Sequence, residues 1–105
     1  MLPEEPVVPV SVNDLDVSTA KSFFVGPTSR HLRLRKRADT IVIESGSPGD
    51  TYAHLRVRKL SAKNWGIDAA THTGRWERMP FQGPLLELLT TIAESFPWLL
   101  LAKLD

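Results

Sequence analysis

Cysteine is absent from the 105-residue chain, which excludes disulfides, thiolate nucleophiles and cysteine-ligated zinc and suits a reducing compartment. Long apolar runs are missing as well. The longest stretch of purely apolar side chains, Trp98 to Ala102, has five residues, against the roughly 18 to 20 that a membrane-spanning helix needs. The first residues, Met1-Leu2-Pro3-Glu4-Glu5-Pro6, carry acids and prolines where an export signal carries Lys or Arg and then an apolar run. A cytoplasmic location away from the membrane is the expectation.

Signatures of catalysis are equally scarce. There is no Gly-x-Ser-x-Gly turn to present a nucleophilic serine. The cluster Gly46-Ser47-Pro48-Gly49-Asp50 has no Lys after it and precedes a strand pattern, so it does not form a phosphate loop. His31, His54 and His72 do not fall at ligand-pair spacing, and no metal site is expected of them. These absences point to a non-enzymatic domain without a cofactor.

Charge is nearly balanced in total, at +1, but unevenly spread. Residues 1 to 29 hold one Lys against four acids (−3), residues 30 to 78 eleven Lys and Arg against five acids (+6), and residues 79 to 105 one against three (−2). The middle of the chain therefore carries the field that would attract an anionic partner.

Within that basic middle a hexapeptide occurs twice, as His31-Leu32-Arg33-Leu34-Arg35-Lys36 and as His54-Leu55-Arg56-Val57-Arg58-Lys59. Aliphatic and charged residues alternate, the period of a strand with one buried and one wet face. The alternation predicts Leu32, Leu34, Ala53, Leu55 and Val57 inward, with His31, Arg33, Arg35, His54, Arg56 and Arg58 in a shared outward stripe supplemented by Arg30, Lys36, Arg37, Lys59 and Lys63. Between the copies, Thr40 to Ser45 is β-branched. With Ile41 and Ile43 inward, its Glu44 stands among the outward arginines.

The remaining strands are expected over Trp65 to Ala69 and Arg75 to Met79. Leu85, Leu88, Leu89, Ile92 and Phe96 share one face of a C-terminal helix that starts at Pro84 and ends before Pro97. Residues 1 to 10, punctuated by Pro3, Pro6 and Pro9, read as a flexible arm. For Ser11 to Phe24, Asp16 suits capping a short helix through Phe24, while Val7, Val8, Val10 and Val12 suit an edge strand, and the helix is preferred. Short connections make neighbouring strands antiparallel. The expected fold is α+β: a four- to five-stranded antiparallel meander over residues 11 to 105, packed on one face by the C-terminal amphipathic helix. An order of short helix, strands and helix resembles double-stranded-RNA-binding domains in topology. Those domains place a Lys cluster at the start of the last helix, where this chain reads Phe81-Gln82-Gly83-Pro84-Leu85, and the resemblance ends there.

Arg33, Arg35, Arg56 and Arg58, with His31 and His54, are the candidate partner-binding residues. An acidic protein surface, or a second copy meeting the stripe with its acidic helix, is the leading expectation. Nucleic acid held by its phosphates is the alternative. Trp65 and Trp76 read as core and Trp98 as partly exposed. Without outward aromatics, recognition of phosphate suits the stripe better than recognition of bases. A secondary candidate is the turn of Thr71, His72, Thr73 and Arg75, whose hydroxyls and amides could hold an anion, or, as a distant third function, serve a small enzyme.

Overall fold

The repeated pattern forms two strands of one sheet. A computed structural model describes residues 11–26, 30–47, 49–71 and 73–101, so the expected arm at 1–10 and His72 lie outside the described residues. Strands β1 (Arg33–Arg37), β2 (Thr40–Ser47), β3 (Asp50–Lys59), β4 (Trp65–Ala70) and β5 (Trp76–Gly83) make a single antiparallel sheet in chain order. The meander is the arrangement that short connections favour. The turn between β1 and β2 is made without glycine, and Ala38 takes φ 48° to close it.

Helices α1 (Asp14–Phe23) and α2 (Leu85–Ser95) pack together on one face of the sheet. That face supplies Ile41, Ile43, Leu55, Val57, Trp65 and Ile67, and the helices contribute Ala20, Leu85, Leu88, Leu89 and Ile92. Burying such an aliphatic side chain is worth about 1.5 to 3 kcal/mol. The apolar stripe of α2 thus does what its spacing implies. Pro84 lies one position before the helix, where its carbonyl accepts from the Leu88 amide.

Val7, Val8 and Val10 of the edge-strand alternative lie outside the described residues, and among those described the segment before β1 forms the helix. Its cap is Asn13 instead of Asp16, and the two cooperate: Asn13 Oδ1 accepts from the Asp16 amide at 2.8 Å, and Asp16 Oδ2 accepts from the Asn13 amide at 3.1 Å. This reciprocal box satisfies two donors that a helix start leaves unpaired. Lys36 and Lys59, the last residues of the two hexapeptides, turn toward α1 and not toward the arginines. Lys36 Nζ lies 3.0 Å from Asp14 Oδ1 and Lys59 Nζ 2.6 Å from Asp16 Oδ2. Alternation requires this, since each stands one residue beyond an outward arginine.

Two irregularities alter the expected faces. Ile43 pairs with Leu55 and Glu44 with Ala53, leaving His54 as an extra residue in β3. Such a bulge reverses the alternation beyond it. Ala53 moves to the open face and His54 joins Leu55 on the helix side, 6% exposed. On the other edge, Gly66 pairs with Gln82 and Asp68 with Arg78, so three residues of β5 stand opposite Ile67. Pro80, which lacks a ladder donor, sits in that stretch of an edge strand, where it is tolerated.

Candidate anion-binding face

The face opposite the helices is built from every second residue of the strands. Its arginines come from β1 (Arg33, Arg35, Arg37) and β3 (Arg56, Arg58), with Thr40, Val42 and Glu44 of β2 between them. The four guanidinium groups singled out in the sequence are thus brought to one surface, with Glu44 among them. Glu44 lies 3.5 Å from Arg35. Val42 is 5% exposed despite facing away from the helices, and its neighbours in register on that face are Arg35 and Arg56, whose long aliphatic stems suit covering apolar surface.

Asp68 is the second carboxylate on this face. Its position in β4, paired with Arg56, places it under the β3 arginines. Its Oδ2 accepts from Arg56 Nε at 2.7 Å and Arg58 Nε at 2.8 Å. With 2% of Asp68 exposed, these charge-assisted bonds satisfy a carboxylate that would otherwise be costly to bury. Gly66 makes room for the second of them: a Cβ there would stand 2.9 Å from Arg58 Nη2.

Trp76 belongs to this surface and not to the core. The pairing of Ala70 with Trp76 puts the indole on the face of Asp68, and the Arg56 guanidinium carbon lies 4.7 Å from its ring centroid. Alternation in β5 carried the signal: Met79 is packed against the core, so Trp76, three residues away, falls on the opposite face. Trp65 is core, 2% exposed, and Trp98 is 60% exposed.

Arg35, Arg37, Thr40, Val42, Arg56, Arg75 and Trp76 help to line an open cleft of about 510 Å3 across this face. Its arginines differ in how fully their charge is engaged. Arg56 and Arg58 share Asp68, and Arg35 approaches Glu44. Among the described residues, Arg33, Arg37 and Arg75 have no carboxylate partner. The cleft therefore joins fixed guanidinium groups to uncommitted ones, next to a partly exposed indole.

The two histidines are corrected to the other side of the sheet. His54 Nδ1 donates to the Leu99 carbonyl at 3.0 Å, and its Nε2 lies 2.7 Å from Ser45 Oγ. A carbonyl only accepts, so the Nδ1 proton leaves Nε2 of the neutral ring to accept from Ser45. His31 Nε2 donates to the Leu100 carbonyl at 2.6 Å. The rings stand edge to face, 6.0 Å between centroids. Together they hold the 3-10 turn Pro97–Leu100 against the sheet. Their nearness across the sheet was legible, but their face was not, because neither the bulge nor the docking of the C-terminal turn leaves a sequence signal.

In the β4–β5 turn, Thr71 and Thr73 hydroxyls lie 2.9 Å apart and Thr71 Oγ1 accepts from the Arg75 amide at 3.2 Å. The Gly74 amide donates to the Thr71 carbonyl at 3.1 Å. These groups close the turn on itself, and Arg75 is the charge that it contributes to the cleft. Among the described residues no group of three or more His, Asp or Glu is placed to hold a metal ion, and no helix is long and apolar enough to cross a membrane. Comparison with family models, with curated proteins and with solved structures finds no match to this chain.

Proposed function

We propose that this is a non-enzymatic binding domain, acting in the cytoplasm, whose arginine face takes a nucleic acid by its phosphates. The observation that carries this reading is the cleft itself. Arg37 and Arg75 line it without carboxylate partners among the described residues, Arg35 and Arg56 line it beside them, and Trp76 supplies an aromatic surface at the same place. Guanidinium groups suit phosphate because their planar donors match its oxygens in pairs. Asp68 supports the reading in a second way. By engaging Arg56 through Nε, it orients that guanidinium group at the edge of the cleft.

An acidic protein surface would also be drawn to this field, and tryptophan and arginine serve protein interfaces too; nucleic acid is placed first because phosphate binding and base stacking together use both features of the cleft. The test is titration of a labelled oligonucleotide across a range of salt. Three phosphate contacts, on Arg35, Arg37 and Arg75, imply a log-log slope of about −2 for a single strand, a loss of roughly twentyfold between about 50 and about 200 mM salt. Affinity should be insensitive to base sequence. Absence of binding at about 50 mM salt, where non-specific attraction is strong, would overturn the reading and leave an acidic protein, or a second copy, as the partner to seek.

A further inference from the structure

Charge alone does not distinguish single from double strands in the direction that this cleft suggests. A duplex carries the denser charge and releases more counterions per contact, so a purely electrostatic face prefers the duplex. The cleft differs from such a face in two respects. It is concave, with a volume of about 510 Å3, within the roughly 300 to 1,000 Å3 range of sites that enclose small molecules. It also contains the Trp76–Arg56 pair, with 4.7 Å between guanidinium carbon and ring centroid. Indole and guanidinium planes are the two surfaces on which proteins stack unpaired bases. A base inside a duplex has both of its faces covered by neighbours and can use neither.

We propose that the cleft selects single-stranded nucleic acid by taking one unpaired nucleotide, its base against Trp76 and Arg56 and its flanking phosphates on Arg35, Arg37 and Arg75. This rests on the reading of the face as a nucleic-acid surface and adds the class of strand. The site is preorganised for that role. Buried Asp68 fixes Arg56 at Nε, so the guanidinium need not be ordered when ligand arrives, a cost that mobile surface arginines carry. Val42 gives the cleft an apolar floor. Stacking tolerates any base, which agrees with binding that is insensitive to sequence.

The test compares a labelled oligothymidylate with a duplex of equal length at one salt concentration, by fluorescence anisotropy, for the wild type, Trp76→Leu and Trp76→Phe. The single strand should bind about tenfold more tightly than the duplex. Trp76→Leu should lower single-strand affinity about five- to tenfold, in keeping with the stacking of one base, with the salt slope unchanged and duplex binding unaltered. Trp76→Phe should retain most of the affinity. Because Trp76→Leu also removes the ring against Arg56, its fold is checked by circular dichroism. A second measurement avoids the substitution at Trp76: in Trp98→Phe, which removes an exposed indole outside the cleft, oligothymidylate should quench the intrinsic fluorescence. Equal affinity for both strands, or no quenching, overturns single-strand selection while leaving phosphate binding in place. Absence of binding to either strand overturns both.

Discussion

The two copies of the hexapeptide have the same alternation and different fates. The first forms edge strand β1, where Leu34 is half-buried and Arg33 and Arg35 are exposed. The second forms most of central strand β3, where Leu55 and Val57 are fully buried and Arg56 and Arg58 are held by Asp68. Side-chain exposure falls from 51% for Arg35 to 31% for Arg56 and 17% for Arg58. Period-2 patterning therefore decides which face a residue takes, while strand position decides whether its charge is committed to the protein or left for a ligand. The central copy builds the surface and fixes Arg56 on it, and the edge strand adds the less committed charge.

The largest expected difference between the copies lies in their aliphatic residues. Leu55→Ala should cost about 2 to 5 kcal/mol in chemical denaturation, the range for deleting a fully buried leucine. Leu34→Ala, at the edge, should cost about 1 kcal/mol, because solvent and mobile neighbours fill the space. Equal losses would remove the distinction between edge and centre.

A smaller difference is expected between the two carboxylates of the arginine face. Asp68→Asn should destabilise by about 3 kcal/mol, near the lower end for breaking a buried ion pair because both arginines retain some solvent. Glu44→Gln should cost under about 1 kcal/mol, since Arg35 is half exposed and its pair with Glu44 is long. The Glu44 loss should shrink in concentrated salt, and the Asp68 loss should persist. Urea titrations with and without added salt check both; a strong salt effect on the Asp68 variant would show that its pairs are solvated.

Much of this arrangement was legible before any coordinates. The apolar spacing of Leu85, Leu88, Leu89 and Ile92 specified α2, and short connections specified the meander. Alternation placed Arg33, Arg35, Arg56 and Arg58 on one face with Glu44 between them. What escaped has particular causes. His54 is the extra residue of a bulge, and an inserted residue inverts the pattern by which a strand is read. Asp68 and Trp76 reach the face through the registers of β4 and β5, and register depends on pairing partners that periodicity within a strand does not specify. Trp76 reads as core because large aromatics usually are; Met79, three residues on and inward, puts Trp76 on the opposite face. The turn of Thr71, Thr73 and Arg75 was recognised as a turn, but which of its groups would remain available depended on bonds internal to it.

The division of labour between the strands is tested most directly by the salt dependence of oligonucleotide affinity in Arg35→Ala/Arg37→Ala, which removes the two β1 guanidinium groups that line the cleft. Each single-strand phosphate contact contributes about 0.7 to the log-log slope, so the double variant should bind with a slope shallower by about 1.4 and with thermal stability unchanged. Arg58→Ala, which takes a partner from buried Asp68, should instead lower stability and leave the slope as it is. A slope unaltered in Arg35→Ala/Arg37→Ala, or flattened equally by Arg58→Ala, would contradict the assignment of phosphate contact to the edge strand and of a scaffold role to Arg58.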